Sequence, residues 1–177
     1  MKTLKLIFII ASTLLFCVDS IFAQSDQIST EKYNSDEYTV KHNKYLYEIT
    51  NKKYAFKGVT VDIEFEGERL EDLEKRREGF MESIYKVANG VFDFSNIPVF
   101  RKSLFHLTMV CYFDSSTKDY VGVQFVFNIE VKSYITLQKL NLLESKLQQA
   151  KLNAGRTNLM EPNKKYFAIE IRIPMGK

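Results

Sequence analysis

The residues able to act as acids, bases, nucleophiles or metal ligands are few and scattered. There are two histidines, His42 and His106. A general base must come within about 3 Å of the proton it takes, so a lone histidine needs partners that only the fold can supply. A hydrolase using His106 is therefore one expectation, its Ser and Asp partners meeting it in space. The weightier reading of His106 is a half-buried imidazole with its hydrogen bonds satisfied. Three carboxylates, Asp62, Glu64 and Glu66, alternate along one run. Acid–base work or a cation site would use such a set, but the solvated face of a strand explains it more simply. No HExxH, CxxC, calcium-loop, P-loop, GxSxG or GxGxxG pattern occurs, and no metal or cofactor is expected. Tyr33, Tyr38, Tyr45, Tyr47 and Tyr54 offer rings for stacking on sugars, although tyrosine serves ordinary half-buried packing equally well.

The most specific signal lies at the N-terminus. Lys2 and Lys5 precede an apolar run from Leu6 to Val18, Asp19-Ser20 ends it, and Ala23 is a small residue at the cut. This pattern predicts a signal peptide over residues 1–23, with cleavage before Gln24 and export by the Sec route to the periplasm or beyond. The run is shorter than the ~20 apolar residues of a spanning helix, so no membrane span is expected after cleavage. Phe16 is bulky where an acylation site at Cys17 would have a small residue. Loss of Cys17 leaves Cys111 alone, and a single cysteine cannot form an intramolecular disulfide. Cys111 reads as a small buried hydrophobe. The net charge of +3 is small and no basic block stands out, so nucleic acid is not an expected partner.

The positioning elements follow from periodicity. Residues 24–44 are polar and lack a period, which predicts a flexible or loosely packed segment. Residues 45–177 form a single α+β domain. Val59, Val61, Ile63 and Phe65 alternate with polar residues and predict a strand to Glu66. Leu70, Leu73, Phe80, Ile84 and Val87 predict a helix over 69–89, stopped at Asn89-Gly90. Apolar alternation from Leu104 to Phe113 and from Val121 to Ile129 flanks a polar loop and predicts a hairpin. A second helix is predicted over 137–153 behind Thr136, with Leu137, Leu140, Leu143, Leu147 and Ala150 on one stripe. A last strand covers Tyr166 to Ile173. This order predicts an antiparallel sheet of about four strands with two helices on one face, in a ferredoxin-like layout.

The stretches YFDSSTKDYVGVQFVF and NKKYFAIEIRIPM, with a helix between them and a closing Ile171-Arg172-Ile173-Pro174-Met175, support a second layout. Over Leu104 to Met175 they resemble the C-terminal domain of TonB-type energy transducers. The resemblance implies a strand–strand–helix–strand core and an envelope protein–protein contact, by strand addition at a sheet edge. The family's hairpin-turn glycine, membrane anchor and Pro-rich spacer have no counterpart here, so energy transduction is not implied.

One face of the hairpin is core. The other carries Leu104, His106, Thr108, Val110 and Tyr112 on one strand and Gly122, Gln124, Val126 and Asn128 on the next. It is too apolar for plain exposure, and is half covered or a contact surface. His106, Tyr112, Gln124 and Val126 are the candidate binding residues. The expected function is a non-enzymatic protein-interaction module with another envelope protein as partner. The alternative is a small-ligand or glycan binder.

Overall fold

A computed structural model describes residues 27–54, 56, 59–60, 63–65, 70–92, 106–155, 157–159 and 163–174. Residues 1–23, the predicted signal peptide, lie outside them. Strands β1 (Gln27–Tyr33), β2 (Asp36–His42) and β3 (Leu46–Asn51) come first. Short strands β4 (Val59–Thr60) and β5 (Ile63–Phe65) precede helix α1 (Leu70–Asn89). The hairpin β6 (His106–Asp114) and β7 (Tyr120–Asn128) follows, then α2 (Leu137–Gln149), β8 (Thr157–Leu159) and β9 (Tyr166–Pro174). The main sheet has the order β1-β2-β3-β7-β6-β9-β4; β5 and β8 form a separate pair. All neighbours in the main sheet are antiparallel except β4 against β9.

The α+β class is as the periodicity predicts. The strand count is not, because the main sheet holds seven strands rather than about four. Residues 24–44 account for much of the difference: β1 and β2 occupy most of a segment read as flexible or loosely packed. Its signal was two alternating apolar residues, Tyr38 and Val40, both fully buried. The ferredoxin-like layout also fails. It needs residues 59–66 as one full strand within the sheet. Instead, β4 contributes two residues at the edge of β9 and β5 pairs elsewhere.

The hairpin is the centre, as its apolar runs require. Leu107, Met109, Cys111 and Phe113 of β6 and Val123, Phe125 and Phe127 of β7 form a continuous buried face. Ile84 and Ala88 of α1 and Leu140, Leu143 and Leu147 of α2 pack into the same core. The Thr136 hydroxyl caps α2 by accepting from the Lys139 N–H, which satisfies one of the first-turn amides. Three predicted core residues lie outside it, the first being Val121, half-buried opposite the register shift between Tyr112 and Phe113. Ala150 is exposed at the end of α2, and Ile129 enters a 3-10 turn and is exposed. Burial raises the Cys111 thiol to about 12, as expected of a packed hydrophobe rather than a nucleophile.

Candidate functional site

The outer face of the sheet, opposite the helices, is assembled by register. One row runs Ile28, Lys41, Glu48, Val126, Thr108 and Arg172; the next runs Thr30, Thr39, Thr50, Gln124, Val110 and Glu170. Side chains of adjacent strands on one face sit about 5 Å apart, so these rows form one surface. Thr108, Val110, Gln124 and Val126 are all half-buried. Lys41 pairs with Glu48 at 3.3 Å and Arg172 with Glu170 at 2.7 Å. The fixed charges of this face are thus mutually neutralised, leaving hydroxyl, amide and methyl groups between them.

Three of the four predicted binding residues come together here. The Tyr112 hydroxyl donates to Gln124 Oε1 at 2.9 Å, and Val126 lies one row beyond Gln124 on β7. His106 opens β6 opposite Pro174; its side chain lies outside the described residues, as do those of the Asp62, Glu64 and Glu66 set. Tyr112 is only 9% exposed, because the chain leaving β3 folds over it. The Phe56 ring stacks on Tyr112 with centroids 3.6 Å apart, and on its other side stacks with Tyr54 at 5.2 Å. Tyr166 meets Phe56 edge-on at 5.9 Å. Gly122 makes this possible: a Cβ there would come within 2.8 Å of Phe56 Cζ and of Tyr54 Cε2. The mixed face is therefore covered at its Gly122 end and open toward Val126.

A second constellation was not legible in the sequence. Glu144 of α2 is 1% exposed, and its carboxylate collects donors from β2, from β3 and from the segment that follows β3. Asn51 Nδ2 donates at 3.3 Å to each oxygen, the Tyr54 hydroxyl at 2.7 Å, and the Tyr38 hydroxyl at 3.4 Å. Lys53 Nζ lies 2.7 Å from Oε1. Gln148 Nε2 donates to the Tyr54 hydroxyl, and Asn141 Nδ2 donates to both Asp36 and the Tyr38 hydroxyl. A buried charge is tolerated only when paired and hydrogen-bonded, and this one has both. The cluster fixes α2 to β2, to β3 and to the segment that carries Phe56. It thus positions the cover over Tyr112. By residue type Glu144 falls among the polar residues opposite the stripe, yet it stands four residues after Leu140 and three before Leu147, on the buried side itself, and that spacing was its one signal.

The tyrosines sort by this geometry. Tyr38 and Tyr47 are buried and closed to a sugar, whereas Tyr45 is 64% exposed. Lys132 Nζ caps Tyr47, donating to its hydroxyl at 2.8 Å. Burial raises the Tyr38 phenol to about 12, and burial with the bond to Glu144 raises Tyr54 further. Burial also raises Tyr120 well above the ordinary phenol value. In each case the fold favours the neutral phenol. The unfolded chain loses these protons near pH 10, so their stabilising effect is whole below pH 10 and is lost as pH climbs toward 12. The urea midpoint is expected to fall steadily over that window. A midpoint flat from pH 9.5 to 11.5 would contradict the burial of these hydroxyls.

Among the described residues no three His, Cys, Asp or Glu side chains converge as a metal cluster, and no helix is long and apolar enough to cross a membrane. No family model matches the chain, and no curated protein matches it. Among solved structures the fold is similar to the crystal structure of a DUF5043 family protein from Bacteroides uniformis ATCC 8492. The TM-score is 0.61 at 12% identity, over 85% of this chain and 93% of that chain. Likeness at that identity concerns architecture alone.

Proposed function

We propose that the protein is an exported, non-enzymatic module that binds another envelope protein through the outer face of its sheet. The observation that carries this is the half-exposed run of Thr108, Val110, Gln124 and Val126 on the two central strands. Its neighbouring charges are already paired with one another. Such a surface offers methyl and amide contacts with little desolvation of unpaired charge, which suits a protein contact. The signal-peptide pattern of residues 1–23 supports export. The order β6, β7, α2, β9 supports the proposed likeness to transducer C-terminal domains, which also points to envelope partners. A second reading, glycan binding, draws on the Tyr54, Phe56 and Tyr112 ring stack beside Gln124.

A photo-crosslinking residue placed at Val126 should yield a discrete adduct in the producing cells. The same residue at Leu142, which is exposed on α2, should not. N-terminal sequencing of the exported protein should begin at Gln24. No adduct at Val126, or equal labelling at both sites, overturns the contact; an intact leader overturns export. Thermal stabilisation by oligosaccharides without any adduct would select the glycan reading.

A further inference from the structure

The open edge of the main sheet is β1, and its composition is unusual for the position. Its inner-face residues Gln27, Ser29 and Glu31 bring no apolar side chain to the core, and only Tyr33 packs against it. On the outer face Ile28 is 67% exposed, the most exposed large hydrophobic residue among those described. Seven residues are thus held almost wholly by main-chain bonds to β2, with the other row of N–H and C=O groups unpaired by any described strand. Exposed edges are usually defended by charge. Here the defending Lys32 is neutralised within its own chain by Glu37 at 2.7 Å.

We propose that this edge is a homodimer interface, in which β1 pairs antiparallel with β1 of a second copy about a two-fold axis at Thr30. Closed two-fold pairing is self-complementary, residue i meeting j and j meeting i. Only the register centred on Thr30 pairs all seven residues. It sets Thr30 opposite itself, Ser29 opposite Glu31, Ile28 opposite Lys32, and Gln27 opposite Tyr33. The Ser29 hydroxyl can then donate to the Glu31 carboxylate, and the Lys32 methylenes cover Ile28. No like charges face each other. Sliding to a centre at Glu31 would set two carboxylates opposite, which is unfavourable. The axis is perpendicular to the sheet, so both outer faces end on the same side. Self-pairing concerns the edge and goes beyond the proposed face contact, so either can fail without the other.

The test uses a Cys17→Ser background, in which Cys111 is buried and an introduced thiol is the accessible one. Opposed residues in an antiparallel pair have Cα atoms about 4.5–5.5 Å apart, within the about 4.4–6.8 Å that a disulfide spans. Thr30→Cys should give a disulfide-linked dimer under mild oxidation. Ser29→Cys should not, since each Cys would face Glu31 of the other copy. The unmutated protein should sediment at twice the monomer mass. A monomer at the highest soluble concentration, including one whose edge instead accepts a foreign peptide, overturns the proposal. So does a dimer in which Thr30→Cys fails to crosslink, or one in which both variants crosslink equally.

Discussion

Replacing Glu144 by alanine is expected to lower the unfolding free energy by about 3–5 kcal/mol, the usual effect of removing one partner from a buried charged network. The carboxylate takes bonds from Asn51, Tyr54 and Tyr38 and an ion pair from Lys53. Alanine leaves those donors facing a space they cannot fill. Each buried polar group left without a partner costs about 1–3 kcal/mol, so the loss does not depend on the ion pair alone. Glu144→Gln keeps the shape but turns an amide nitrogen toward the donors, and should fall between alanine and wild type. Lys53→Met should cost least, because Lys53 is partly exposed and exposed partners contribute about 0–1 kcal/mol. Urea unfolding of the three variants checks the order. A Glu144→Ala midpoint within experimental error of wild type would mean that the network holds nothing together.

Gly122 supports the second large effect. In an open strand, alanine in place of glycine would stabilise by roughly 0.5–1 kcal/mol, because glycine loses more freedom on folding. Here the sign should reverse. A Cβ would meet Phe56 and Tyr54 at 2.8 Å, and neither ring can yield alone. Tyr54 is held by Glu144, and Phe56 lies between Tyr54 and Tyr112. Gly122→Val should therefore cost about 1–3 kcal/mol, the range for overpacking a filled site. Gly122→Ala should cost less but still destabilise. Adding Phe56→Ala should recover part of the loss, giving a coupling that only contacting residues show. Stabilisation by Gly122→Ala alone would refute the close approach.

These two sites show what a sequence can and cannot carry. The hairpin, both helices and the last strand are legible because each buries one face along a run, and burial of a face writes a period of two or about four. The mixed outer face was legible for the same reason: Val110, Tyr112 and Val126 break an alternation that would otherwise be polar. The first strands were hidden because β1 carries a single apolar residue on each face, Ile28 and Tyr33, and β2 carries only Tyr38 and Val40 into the core. Two buried residues seven-wide do not distinguish a strand from a loop. The covering of Tyr112 by Phe56 was hidden because it depends on Gly122 and on a bond between Tyr54 and Glu144, 90 residues apart. Contacts between distant residues have no period to read.

The same separations bear on the order in which the chain can become native. Tyr38, Asn51 and Tyr54 reach Glu144 across 106, 93 and 90 residues, and β3, which pairs locally with β2, gains its second partner only after β7 exists. Chains dominated by such long-range closures fold slowly, since each loop must be closed before its contacts repay the lost freedom. The first three strands are made ahead of β7 and α2, which complete their burial. Their mutual pairing is local, but Tyr38 and Asn51 have no buried carboxylate to meet until α2 has followed, so the helix that carries Glu144 sets the earliest moment at which these strands can lock onto the core.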